Sequence, residues 1–278
     1  INLRALGRYE TPPPDSTGGL KGVAEWQPDS PAAYAKLRSV RYFYDNNGTA
    51  ESFASAFQVE SMAGTGEMLA APVDTIGGQR AVLELGNAAA ASAEAVINVY
   101  DESGTRRSNL RMTMAPKQVR HLVLNELLGE GRRGSVTVKG SRRESMFGAV
   151  NHYAYGESGG LDAAYSIPAG PPLGLELRGS FDTRNVQKSF VVLTNASSAP
   201  QDVVMILTNA KGAVIKQSGK LQRNIALAPH GHAAIDISGT VGGNATGLVR
   251  LQAETANVVT GWVMEKKGNE YVIPVPIR

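Results

Sequence analysis

The sequence predicts an all-β protein assembled from tandem, sandwich-like modules, and three observations predict it. Apolar and polar residues alternate over short runs, turn residues punctuate those runs, and one ordered set of strand and turn motifs occurs twice. Gly 31 and Pro 14, against a charged fraction of only 19%, favour short strands joined by tight turns over helices. A hydrophobic fraction of 42% supports packed cores, and 278 residues suffice for two ordinary domains.

The repeat begins with Ala81-Val82-Leu83-Glu84-Leu85-Gly86-Asn87-Ala88, matched by Ser189-Phe190-Val191-Val192-Leu193-Thr194-Asn195-Ala196. Both segments end in Asn-Ala and enter a turn of small residues. Each then runs into a second strand, Ala95-Val96-Ile97-Asn98-Val99-Tyr100 or Val203-Val204-Met205-Ile206-Leu207-Thr208. Next, in the same register, come Asp101-Glu102-Ser103-Gly104 and Asn209-Ala210-Lys211-Gly212. Asp or Asn at the first turn position and Gly at the fourth suit a type I turn closed by a left-handed glycine.

After a loop of different length, Met114-Ala115-Pro116 corresponds to Leu227-Ala228-Pro229, each followed by a strand (Leu122, Leu124; Ile235, Ile237). The run His121 to Leu128 is the best helical candidate, as one turn before Gly129. Gly134-Ser135-Val136-Thr137-Val138 then matches Gly247-Leu248-Val249-Arg250-Leu251. Phe147-Gly148-Ala149-Val150 matches Thr260-Gly261-Trp262-Val263, and Tyr165-Ser166-Ile167-Pro168 matches Tyr271-Val272-Ile273-Pro274. Glycine pairs mark turns at Gly18-Gly19, Gly77-Gly78, Gly159-Gly160 and Gly242-Gly243.

The N-terminal part reads as the end of one more copy. Gly22 to Trp26 resembles the Gly-led strand, Ser39 to Tyr44 the strand after it, and Ala56 to Val59 the closing strand. The expected division is therefore residues 1–70 as the C-terminal part of a preceding module, 71–170 as one sandwich and 171–278 as another. A half module leaves open sheet edges, so upstream residues or pairing with another chain is expected. A start at Ile1 rather than Met gives the same expectation of an upstream chain.

Strands of this kind bury one face each, so two sheets must close around a shared core. The modules resemble the immunoglobulin-like antiparallel β-sandwiches strung in tandem along bacterial surface and secreted proteins. The antibody subgroup is excluded, because its Cys–Trp–Cys hallmark needs cysteine and the chain has none. The resemblance implies a non-enzymatic structural or adhesive repeat (a spacer, stalk or filament subunit) at the cell surface, in the extracellular space or in the periplasm. Its partners would be proteins, neighbouring copies joined by strand pairing among them. The alternative is a carbohydrate-binding or accessory module of a secreted enzyme.

The chemistry-bearing residues are few. In His230-Gly231-His232 an extended chain would put both imidazoles on one side, yet zinc needs a third or fourth ligand. The expected reading is an exposed loop. Asp45-Asn46-Asn47 and Asp101-Glu102 carry oxygen ligands but lack the twelve-residue calcium-loop pattern, and turn formation accounts for them. No nucleophile elbow, His-Glu-x-x-His or phosphate-binding glycine loop occurs, so no enzyme activity, metal or cofactor is expected.

The candidate ligand-binding residues are Tyr42, Tyr44, Tyr153 and Tyr155. Each pair alternates along a strand and so shares a face that could stack on a glycan, the competing reading being packing. Three arginine pairs, Arg106-Arg107, Arg132-Arg133 and Arg142-Arg143, read as solvated edges that block unwanted strand pairing. Asn47, Asn195 and Asn244 begin N-glycosylation triplets. A net charge of +3 is too small for a nucleic-acid partner, and no apolar run approaches a membrane span.

Overall fold

In the computed structural model the described residues are 38–44, 53–60, 68–142, 145–156, 161–172, 174–184, 186, 188–267 and 271–278. The chain is all-β, and every strand pair described is antiparallel. A hairpin comes first, β1 (Arg38–Tyr44) with β2 (Phe53–Glu60). The segments around Gly22 to Trp26 and Asn2 to Tyr9 lie outside the described residues.

Two sandwiches follow. The first comprises β3 (Met68–Asp74), β4 (Arg80–Asn87), β5 (Ala93–Asp101), β6 (Arg106–Met114), β7 (Val119–Val123), β8 (Arg133–Gly140), β9 (Met146–Tyr155) and β10 (Leu161–Ala169). The second comprises β11 (Glu176–Asp182), β12 (Lys188–Asn195), β13 (Gln201–Asn209), β14 (Val214–Ile215), β15 (Arg223–Leu227), β16 (His232–Asp236), β17 (Thr246–Ala253), β18 (Val259–Lys267) and β19 (Tyr271–Ile277). One sheet of the first is ordered β10-β9-β4-β7 and the other β3-β8-β5-β6. The second repeats this as β19-β18-β12-β16 and β11-β17-β13-β14, with β15 also paired to β13. Both place one helical turn directly after the edge strand paired with β4 or β12, α1 (Asn125–Leu128) after β7 and α2 (Ser238–Val241) after β16.

Each sandwich encloses its own core, and alternation decides which residues enter it. Leu83, Leu85, Ile97, Val99, Val136, Val138 and Val150 come from both sheets of the first and are buried together. Val191, Leu193, Val203, Met205, Val249, Leu251 and Val263 do the same in the second. Each such side chain contributes roughly 1.5–3 kcal/mol on full burial, so packing outweighs any single polar contact.

Buried polar side chains repeat as faithfully as the cores. Asn87 Nδ2 donates to the Ala91, Met114 and Ala115 carbonyls at 2.9, 3.2 and 3.0 Å, while its Oδ1 accepts from Ala89 N–H at 3.0 Å. Asn195 donates to Ala199 and Ala228 at 2.8 and 2.9 Å and accepts from Ser197 N–H at 2.9 Å. This is the physical content of the Asn-Ala motif: a fully buried amide ties the loop after one strand to the turn before another. It also removes Asn195 as a glycan acceptor, whereas Asn244 lies exposed in a turn. Asn195→Ala removes the amide's hydrogen bonds to the Ala199 and Ala228 carbonyls and leaves Ser197 N–H without its acceptor, and is expected to cost about 2 kcal/mol, read from urea denaturation.

A second staple had no sequence signal. Thr75 Oγ1 donates to the carbonyls of Gly129 and Arg132 and accepts from Arg132 N–H, and Thr183 does likewise with Gly242 and Ala245. The turns read from sequence are present: Gly104 N–H reaches Asp101 O and Gly212 N–H reaches Asn209 O, both at 2.9 Å, with glycine φ of 83° and 80°. The Asp101 and Asn209 side chains cap those turns by accepting N–H bonds from Ser103 and Thr105, and from Lys211 and Ala213.

Candidate functional site

The two sandwiches meet along a surface that is itself packed. In β12 and β18 both faces are apolar: one enters the second core, and the other presents Phe190, Val192, Trp262 and Met264 outward. That outer face is covered by the first sandwich, through Tyr165 and Ile167 of β10. The uninterrupted run Trp262-Val263-Met264 is the sequence signature of a strand buried on both sides.

Beside this contact lies the turn Ala228-Pro229-His230-Gly231. Gly231 N–H reaches Ala228 O at 2.8 Å and His230 has φ 56°, and Lys117 holds φ 58° at the same place in the first module. A positive φ at the third turn position redirects the chain, so the extended geometry expected of His230 and His232 does not occur. The expected exposed loop is corrected too. The His230 ring stacks on Tyr100 of the first sandwich, centroids 4.2 Å apart, and its carbonyl accepts from Ser135 Oγ at 3.3 Å. His232 is buried, and its N–H donates to Glu102 O at 3.1 Å. The loop is held inside the junction because the other module supplies its hydrogen-bond partners.

Between the sandwiches a cleft of about 390 Å³ opens, within the range of small-molecule sites. The first sandwich contributes Asp74, Arg133, His152 and Tyr165, and the second contributes Lys188, Phe190, His232, Met264 and Lys266. Asp74 is engaged on both oxygens, by Ile76 N–H at 2.8 Å and by Arg133 Nε at 3.3 Å. His152 stacks on Tyr165 with centroids 4.5 Å apart, and its Nε2 accepts from Asp74 N–H at 3.2 Å. The ring proton therefore sits on Nδ1, where the Val150 backbone gives electrostatic help but no hydrogen bond of normal geometry.

Burial depresses both cleft histidines, His152 and His232, to about 4, so each is neutral at pH 7. Burial also pushes the Tyr165 hydroxyl well above the usual tyrosine range, and it stays protonated, 3.2 Å from Gln79 Oε1. The fixed charges of the cleft are then Asp74 against Arg133, Lys188 and Lys266. It is a cationic site with an apolar wall.

Of the four tyrosines singled out from sequence, Tyr42 pairs with Ala56 and Tyr44 with Phe53 in the hairpin; their side chains lie outside the described residues. Tyr153 and Tyr155 share the face of β9 opposite His152, away from the cleft; Tyr153 is half-buried and Tyr155 exposed. Arg106, Arg107, Arg132 and Arg142 are exposed, while Arg133 turns into the cleft. The cleft residues escaped sequence reasoning because they come from distant strands; the one local hint was His152, which directly follows the segment Gly148 to Asn151. Among the described residues no group of three or more His, Asp or Glu side chains is placed to hold a metal ion, and no helix is long and apolar enough to cross a membrane.

No family model matches this chain, and no curated protein matches it. Solved structures similar to it include a Streptomyces avermitilis α-L-rhamnosidase (9% identity, TM-score 0.23, covering 84% of this chain and 27% of that one). Others are Bacteroides uniformis β-glucuronidase 2 (10%, 0.20, 86% and 32%) and a putative β-galactosidase from Bacteroides fragilis (11%, 0.18, 86% and 40%). The chain thus spans well under half the length of each, and at these TM-scores the likeness assigns it no activity.

Proposed function

We propose that this chain is a non-enzymatic structural segment of a protein outside the cytoplasm, in which two immunoglobulin-like sandwiches act as one stiff spacer. The observation that carries this reading is the second apolar layer at the junction, Tyr165 and Ile167 against Val192, Trp262 and Met264. Flexibly tethered domains meet through polar contacts and move; a desolvated joint with its own stacked ring pair resists bending. A stiff joint transmits position along a stalk, and catalysis does not require one.

Small-angle scattering tests it. The native chain should give a scattering profile fitted by a single fixed arrangement of the sandwiches, and Ile167→Asp, which charges the joint, should give a broader distribution of dimensions. A native profile that requires a free hinge would overturn the reading. Glycan binding is the second reading, favoured by the exposed Tyr155 beside Tyr153 on one face of β9. On a glycan array its signal should vanish in Tyr155→Ala and survive Ile167→Asp.

A further inference from the structure

The lysines of the cleft occupy an unusual place. Lys188 of β12 lies directly opposite Lys266 of β18 in the antiparallel register, and both continue the face that carries Phe190, Val192, Trp262 and Met264. Cross-strand partners have Cα atoms about 4.5–5.5 Å apart, and like charges there are destabilising. Val272 of β19 extends the same row and supplies no charge. The acid nearest on that face, Asp236 opposite Phe190, caps Ser238 N–H at 2.9 Å and forms no ion pair with either lysine among the described residues. Asp74, the one acid among the described residues that line the cleft, is already held by Arg133. Two lysines therefore occupy directly paired positions at the edge of an apolar cleft, and among the described residues no carboxylate is paired with either.

We propose that the cleft binds a small amphipathic carboxylate, its anionic head between Lys188 and Lys266 and its apolar body on Phe190, Met264 and Val272. The head supplies the charge that the paired lysines lack. The body replaces water on a wall that is otherwise apolar. Neutral His152 and His232 and the protonated Tyr165 also line the cleft without adding charge, so discrimination falls on the lysine pair. The volume of about 390 Å³ selects a small molecule over a polymer chain.

The test is calorimetric titration of the full chain at pH 7 with 4-phenylbutyrate, its neutral amide and inorganic phosphate. Saturable binding of phenylbutyrate is expected, at least tenfold tighter than the amide or free phosphate, and reduced at least tenfold in Lys188→Gln/Lys266→Gln. The same variant should melt no lower than the native chain, because relief of the lysine–lysine repulsion offsets any lost packing. That distinguishes a binding pair from a structural one. Absence of saturable phenylbutyrate binding, equal affinity for the amide, or undiminished affinity in the double variant overturns the proposal. Phosphate binding as tight as phenylbutyrate overturns the role of the apolar wall.

Discussion

Lowering the pH from about 6.5 to about 4 is expected to destabilise both sandwiches at their junction by several kcal/mol. His152 and His232 are neutral in both folded and unfolded chains at pH 7. As the pH falls, an unfolded histidine protonates near its ordinary value of about 6.5, while the folded pair, depressed to about 4 by burial, does not. The unfolded state binds more protons throughout that interval, so stability is lost across it and levels off below the folded values. Each histidine contributes on the order of 3 kcal/mol.

Among the described residues lining the cleft every charge is cationic except Asp74, whose carboxylate is shared with Arg133; Lys188 and Lys266 oppose an additional proton in the same space. Glu265 runs the opposite way, since burial raises its carboxyl, and this offsets part of the loss near the acid end. Urea unfolding from pH 7.5 to 4 should show the decline, flattened in His152→Gln/His232→Gln. An equal slope in that variant would transfer the effect to the carboxylates.

Gly134→Ala and Gly247→Ala are each expected to cost about 3 kcal/mol or more, because the added Cβ has nowhere to go. It would be driven into the Tyr100 carbonyl oxygen in the first sandwich and the Thr208 carbonyl oxygen in the second, with the Phe181 ring also in the way at Gly247. Neither neighbour can yield, since each carbonyl belongs to the paired central strand. Gly170→Ala is the control: a Cβ there meets nothing, φ is not positive, and a change near zero is expected. Thermal melts of the three variants measure the difference. A mild effect at Gly247 would mean that the strands separate more readily than their register implies.

These two glycines also show what was legible beforehand. Both open the strand after a loop at matching places in the repeat, so sequence comparison found them, but the reason for them is a backbone contact between strands far apart in the chain. The same holds for Asn87 and Asn195, which were visible as strand endings and proved to be buried staples. The histidines went the other way. Alternation along an extended chain put His230 and His232 together on an exposed loop, and one left-handed residue, His230 itself, separated their surroundings. Tyr153 and Tyr155 lie where alternation puts them, on one face of β9, though that face is not the cleft.

By itself the sequence determined the all-β class, the order of the strands, the Asp101 and Asn209 turns and the alternation that sends residues such as Leu83, Leu85, Val203 and Met205 into the cores. These follow from local rules: a period of two along a strand, and the backbone angles a turn requires. Only the tertiary structure decided that the outer face of β12 and β18 is a joint, that His152 and His232 share a cleft, and that Lys188 confronts Lys266. Those pairings depend on register and on the docking of one sandwich against another, which join residues dozens of positions apart and leave no local trace.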